Sequence, residues 1–218
     1  MDLYGIVGAG GFGREVMPLA RSMLGKRIST GALELVFVLD APVETSINGH
    51  RVLSTDAFLA SPGARWFNIA IADGVARMQL AERLESAGAQ PFSVIAPNAV
   101  VMDNNHIGNG AILCPFVVVT SNARIGRYFH ANLHAYVAHD CVVGDFVTFA
   151  PKVACNGNVH IGDHAYLGTG AMIRQGRPGR PTLVGAHAVV GMGAVVTRDV
   201  GPNTTVIGSP ARPMLAKS

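Results

Sequence analysis

The sequence predicts an α/β domain of half-Rossmann type over residues 1–94, followed by a parallel β-helix built from six-residue repeats over residues 95–218. Three observations predict it. Apolar residues recur every six positions through the C-terminal half. Apolar-Gly pairs recur every eighteen. A glycine-rich turn links an apolar strand to a helix near the N-terminus.

The six-residue period runs from Ile95 through Val101, Ile107, Leu113, Val119, Ile125, Ala131, Val137, Val143, Phe149, Cys155, Ile161 and Leu167 to Ile173, and every position is apolar. The fifth place of each hexad is mostly small or β-branched, as at Ala111, Val117, Ala123, Ala135 and Val147. Both places are expected to face inward. A helix is excluded, because six does not fit a turn of 3.6 residues. The pairs Ile107-Gly108, Ile125-Gly126, Val143-Gly144 and Ile161-Gly162 stand eighteen residues apart, so three hexads make one triangular coil. Glycine stacked on glycine suits a corner where backbone approaches backbone. One coil cannot bury its inner face alone, but stacked coils share a core. The next such pair, Val184-Gly185, comes five residues late, so residues 174–183 are expected to form a loop with an insertion. The repeats are expected to end near Ile207 to Pro210, where proline stops strand pairing.

In the N-terminal half, Leu3 to Val7 read as a strand, Gly8 to Gly13 (GAGGFG) as a tight turn, and Arg14 to Leu24 as a helix. A strand, a glycine-rich turn and a helix N-terminus cradle phosphate through backbone N–H groups. A second strand, Leu35 to Leu39, ends in Asp40, where an acid commonly contacts a ribose. A third, Phe67 to Ala72, ends in Asp73-Gly74. A helix over Val75 to Ala87 and a strand over Phe92 to Ile95 lead into the repeats. Only half of a dinucleotide-binding fold fits before the repeats, which favours a mononucleotide-type ligand over a nicotinamide cofactor.

Composition narrows the function classes. Of 218 residues, 49% are hydrophobic and 14% charged, which supports a packed core. The net charge of +3 is scattered, with no aromatic-interleaved basic patch, so nucleic acid is not an expected partner. No membrane-spanning run and no signal peptide are read, and a cytoplasmic location is expected. Cys114, Cys141 and Cys155 show no CxxC spacing and are expected to be buried free thiols.

One histidine stands apart. Within the repeats, His106, His130, His134, His160, His164 and His187 fall at the fourth or sixth place of their hexads; His139 takes the third, with Asp140 next to it. A histidine with a carboxylate is the usual general base with its orienter. Neighbouring residues on a strand point to opposite faces, so Asp140 supports His139 only if a corner intervenes. Acyl transfer from a thioester needs such a base and donors for the developing oxyanion. Asn132 and Thr148 are candidate donors.

At this point the chain resembles the hexapeptide-repeat acetyltransferases grouped with sialic acid O-acetyltransferases and nucleotide-linked 4-amino-sugar N-acetyltransferases. The resemblance rests on GAGGFGREV (8–16), IADGVAR (71–77), HDCVVGDF (139–146), NGNVHIGDHAYLGTGA (156–171) and VIGSPAR (206–212), and covers nearly the whole chain. It implies a left-handed β-helix and a homotrimer with active sites between neighbouring helices. It implies His139 as base with Asp140, and Asn132 at the site. It places acetyl-CoA along the β-helix near Asn132, Thr148, Gly157, Thr169 and Gly191. It places a nucleotide sugar on the N-terminal domain near Gly10, Gly11, Phe12, Asp40 and Asp73. Two positions depart from the family pattern: Phe12 and Thr148 stand where histidine is frequent among its members.

The expected activity is N-acetylation of a nucleotide-linked amino sugar, with acetyl-CoA as co-substrate and no metal. O-acetylation of a sugar such as a sialic acid is the alternative. A zinc-dependent β-helix carbonic anhydrase is more remote: His134 and His139 have one of its spacings, but Asn98 stands where its third histidine is expected. A non-catalytic sugar-nucleotide-binding trimer is the last alternative. Arg174, Arg177 and Arg180 in the inserted loop are read as a solvated basic segment, with CoA phosphates or a neighbouring subunit as other partners.

Overall fold

The computed structural model describes residues 1–214. The chain divides into two compact units, one of Met1–Ala96 with Asn109–Ile112, the other of Pro97–Gly108 with the chain from Leu113 onward.

The first unit is a six-stranded sheet. Strands β1 (Asp2–Val7), β2 (Leu33–Leu39), β3 (Ser46–Ile47), β4 (His50–Ser54), β5 (Arg65–Ile69) and β6 (Gln90–Pro91) lie in the order β3-β4-β2-β1-β5-β6. All neighbours are parallel except β3 and β4. The apolar runs of β1 and β2 are buried, as expected of central parallel strands covered by helices. The helices are α1 (Gly11–Ser29), α2 (Thr55–Ala60) and α3 (Gly74–Ser86).

Several boundaries differ from the expectation. Helix α1 begins inside the glycine turn and runs past Leu24 and Gly25, ending at Thr30 and Gly31 (φ +68), whose N–H bonds Ile28. Strand β5 stops at Ile69 rather than Ala72, because Arg77 reaches back to the carbonyls of Ile71 and Ala72 and turns the chain there. The expected strand over Phe92 to Ile95 is replaced by two short ones, β6 and Val94–Ile95. The hairpin β3–β4 was not expected. It turns on Asn48 (φ +49) and Gly49 (φ +77), the residue pair that favours a two-residue hairpin.

The second unit is the expected parallel β-helix, with three walls of stacked two- or three-residue strands. The first wall runs from Val100–Val101 through Val118–Val119, Tyr136–Val137, Ala154–Cys155 and Met172–Ile173 to Val195–Val196. The second runs from His106–Ile107 through Arg124–Ile125, Val142–Val143 and Val159–Ile161 to Thr182–Val184. The third includes His130–Ala131, Thr148–Phe149, Tyr166–Leu167, Val189–Val190 and Thr205–Ile207. Partners are one coil apart, as in Tyr136↔Ala154 and Val142↔His160. First- and fifth-place residues fill the interior, among them Val119, Ala135, Val137, Val153, Cys155 and Ile173. The insertion closes as expected: Ile161 pairs with Val184. The loop is shorter than expected, because Thr182 and Leu183 already belong to the strand. The end also differs. Beyond Pro210, Arg212–Pro213 turns back and pairs antiparallel with Thr205–Ile207.

The corners share one device. The fourth residue of successive hexads takes a left-handed backbone: Asn104, Phe116, Asn122, Tyr128, His134, Asp140, Phe146, Lys152, Asn158 and His164 have φ between +54 and +63. Outside glycine and asparagine this conformation costs about 1 kcal/mol or more per residue. Stacking offsets it at one edge, where the rings of Tyr128, Phe146, His164 and His187 form a column with centroids 5.1, 5.3 and 4.6 Å apart. At the same edge the glycines are obligatory: a Cβ on Gly144 would strike Asp163 and lie 2.8 Å from its backbone nitrogen. Gly144→Ala should therefore lower stability by about 1–3 kcal/mol in chemical denaturation. A midpoint equal to that of the parent protein would refute this packing.

Candidate active site

His139 sits on the edge between the first and second walls, just after Tyr136–Val137. The left-handed backbone of Asp140 (φ +58) is the corner that the side-chain alternation required. It swings the carboxylate back, so that Oδ2 lies 2.8 Å from Nδ1 of His139. Both side chains are about half exposed. The backbone on either side is fixed to neighbouring coils: Asn158 N–H donates to His139 O (3.0 Å), and Asp140 N–H donates to Ser121 O (3.1 Å).

The imidazole lies over Gly157, eighteen residues on. A Cβ there would collide with Nε2 and sit 2.5 Å from Cε1. Glycine is needed at 157 because the ring occupies the space a side chain would take. Beside it, Tyr136 Oη donates to Asn156 Oδ1 (2.6 Å), and Asn156 Nδ2 donates to Ile173 O (2.7 Å). Burial raises the Tyr136 pKa, with a smaller push from the thiols of Cys155 and Cys141, which keeps the phenol a donor. This Tyr–Asn pair was not found in the sequence, where nothing marks a contact between residues twenty apart. The three cysteines are buried and free, as expected. The Cys141 thiol donates to Asn156 O (3.2 Å) beneath the site.

The other candidates of the β-helix lie elsewhere on the chain. Asn132, Thr169 and Gly191 fall on the edge between the third and first walls. Asn132 Oδ1 accepts the Leu133 N–H (2.7 Å). Thr148 is buried on the third wall, in register with His130 and Tyr166. Within one chain none of these four joins His139. His134 is also on the other edge, stacked on Phe116 with centroids 4.8 Å apart, so the spacing that suggested zinc does not converge. Among the described residues no group of three metal-ligating side chains forms.

In the first unit, Gly8 (φ +96) makes the tight turn, and Gly13 allows α1 to pack on β1, since a Cβ there would strike the Gly8 carbonyl. Gly10 and Gly11 are exposed, with nothing within 4 Å of where a side chain would start. Phe12 is half-buried. Asp40 follows β2 and Asp73 follows β5, so both turns share with the glycines the carboxyl edge of β2-β1-β5. The strand order reverses there, which in parallel sheets makes a ligand crevice. Asp40 Oδ1 accepts from Thr55 (2.7 Å) and Arg83 (2.9 Å). Asp73 caps α3, accepting from Val75 and Ala76 N–H, both at 2.9 Å. Arg77, buried beneath this turn, donates to Ile71 O (2.6 Å) and Ala72 O (3.1 Å). Burial lowers its pKa to about 9, partly offset by Asp73, so it remains a cation at neutral pH.

A nucleotide-type turn followed by a β-helix with a histidine on an open edge defines the class of hexapeptide-repeat acyltransferases. Residues 5–84 match the PglD N-terminal domain. Over 98% of this chain and 97% of the relative, the sequence is 48% identical to GDP-perosamine N-acetyltransferase of Escherichia coli O157:H7. The structure is similar to WeeI from Acinetobacter baumannii AYE (48% identity, TM-score 0.93, 98% of this chain and 100% of that one). It is also similar to a mutant of perosamine N-acetyltransferase from Caulobacter crescentus, solved with CoA and GDP-perosamine (27% identity, TM-score 0.87, 98% and 97% covered). The chain belongs to the family of nucleotide-amino-sugar N-acetyltransferases.

The clamp on the 71–73 turn gives a stability contrast. Arg77→Met removes the buried guanidinium and its bonds to Ile71 O and Ala72 O, and should cost about 1–3 kcal/mol. Arg83→Met, at a half-exposed ion pair, should cost about 0–1 kcal/mol. Thermal unfolding of both variants checks this, and equal losses would contradict the clamp.

Proposed function

We propose that this protein transfers the acetyl group of acetyl-CoA to the amino group of a nucleotide-linked amino sugar, with GDP-perosamine the first acceptor to test. The reading is carried by the bond from Asp140 to Nδ1 of His139. A carboxylate there favours the tautomer with the proton on Nδ1 and leaves the lone pair on Nε2, the atom over Gly157. It is further supported by the 48% identity over almost the whole of a GDP-perosamine N-acetyltransferase. In the reaction, the sugar nitrogen attacks the thioester carbonyl as His139 Nε2 removes its proton. A C–N bond forms, the tetrahedral intermediate collapses, the C–S bond breaks, and CoA leaves as the thiolate that regains a proton. Asp140 orients the ring and stabilises the imidazolium.

The sugar nucleotide is assigned to the carboxyl edge of the first unit, at Gly10, Gly11, Phe12, Asp40 and Asp73. Acetyl-CoA is assigned to the β-helix, at Asn132, Thr148, Gly157, Thr169 and Gly191. We also assign a homotrimer in the cytoplasm, where acetyl-CoA and sugar nucleotides are made. The trimer is supported by the split of candidates over two edges of one chain, which a neighbouring helix in cyclic symmetry can reunite. The first wall between those edges exposes Val100 and Met172, 47% and 46% accessible, which suits packing against another copy.

The test is acetyl transfer to GDP-perosamine, to other nucleotide-linked amino sugars and to sialic acid. Amine acceptors should be modified and hydroxyl acceptors should not. His139→Asn should lower kcat by about 10²–10⁴-fold. Gly157→Ala should do similar damage with the base still present, because it displaces the imidazole. Turnover of His139→Asn within a few-fold of the parent rate would contradict the assignment.

A further inference from the structure

Asp40, the acid that follows β2, is held by side chains from two helices. Its Oδ1 accepts twice, from the hydroxyl of Thr55 (2.7 Å) and from Nη1 of Arg83 (2.9 Å). The other arm of the same guanidinium, Nη2, donates to Asp56 Oδ1 (3.2 Å). Thr55 and Asp56 open α2, and Arg83 lies in the last turn of α3, 43 residues from Asp40. One arginine therefore ties the end of β2 to both helices. Thr55 is buried, which fixes where its hydroxyl oxygen stands.

The two oxygens of Asp40 are thereby made unlike. Both acceptor sites of Oδ1 are in use. Oδ2 has no partner among the described residues, and the side chain is 62% exposed. An unheld aspartate at that exposure samples several rotamers, and each binding event must then fix one of them. Here Oδ2 is offered from a fixed carboxylate. The guanidinium also stands between two carboxylates at an edge assigned to a diphosphate, where unshielded like charges repel the ligand. Its planar fork spans both acids, which the single ammonium of a lysine does not. Half-exposed ion pairs add little to stability, so the consequence of this one is geometric.

We propose that Arg83 is a positioning residue for the nucleotide: with Thr55 it fixes Asp40 Oδ1 and leaves Oδ2 as a single acceptor. A single acceptor suits a ribose hydroxyl, whereas the paired N–H donors of a base edge call for both oxygens. The inference rests on the assignment of the nucleotide sugar to this edge. The experiment is calorimetric titration of GDP, with UDP and dTDP beside it, and the tightest of the three is carried through the variants. Asp40→Ala and Arg83→Met should each weaken it about tenfold, the scale of one charge-assisted contact. The double variant should be no more than about threefold worse than either single one, because Arg83 acts through Asp40. Arg83→Lys keeps the charge without the fork and should lie about threefold below the parent protein, as should Thr55→Val. CoA affinity, measured on the same samples, should stay at the parent value, since a damaged fold would weaken both ligands. Parallel loss of CoA binding therefore overturns the proposal. Parent-like nucleotide affinity in Arg83→Met, with Asp40→Ala impaired, also overturns it and leaves Asp40 in the site. Losses that multiply to about a hundredfold in the double variant overturn it too, because Arg83 then contacts the nucleotide independently. Parent-like affinity in Asp40→Ala, or no binding of any of the three by the parent protein, removes the nucleotide assignment and the proposal together. The expected pattern without acetyl transfer to any acceptor would leave the positioning role standing and remove the acetyltransferase reading instead.

Discussion

The register of eighteen residues is the constraint on which the second unit depends. Each coil lends its backbone carbonyls to the next, as Ala138 N–H bonds Cys155 O and Ala154 N–H bonds Ala171 O. It also lends an apolar floor, because residues such as Val137, Cys155 and Ile173 are buried only when stacked. A parallel stack puts every residue one strand spacing, ~4.8 Å, from its counterpart a coil away. Side chains on the edges therefore form columns, and chemistry on an edge is written vertically. His139 over Gly157 is one such pair, and the Tyr128 to His187 ring column is another.

The same register explains how a two-residue motif becomes a working pair. On a flat strand His139 and Asp140 would point apart. At a corner the backbone of Asp140 is left-handed, and the carboxylate curls back onto the imidazole. The stack, rather than the residue type, imposes that conformation: Phe116 and Lys152 adopt it at equivalent corners with no intrinsic liking for it. The site is thus pre-set by the fold's periodicity. The glycine at 157 then leaves the ring room over the next coil.

Much of this was legible in the sequence. The unbroken apolar period from Ile95 to Ile173 gave the coil, and the late return of Val184-Gly185 gave the five-residue insertion. The third-place position of His139 singled it out among the histidines. Other features were hidden because they arise from contacts across coils. Nothing local announces that Tyr136 bonds Asn156, or that Gly157 serves His139. In the first unit the Asn48-Gly49 hairpin carried a clear turn signal, but its strand β3 is two residues long, too short for apolar alternation to mark. Strand β5 is shorter than its apolar run, because Ile71 and Ala72 look like strand residues while the side chain that turns them aside, Arg77, lies in the following helix.

The most direct measurement of the central claim is a crystal structure of this protein with CoA and an amino-sugar nucleotide bound together. The account predicts the sugar nitrogen within about 2.6–3.2 Å of His139 Nε2, the reach of a general base, with the CoA sulfur on the same edge of the β-helix. A complex in which the nitrogen and the sulfur meet away from His139, with that imidazole touching neither, would contradict it.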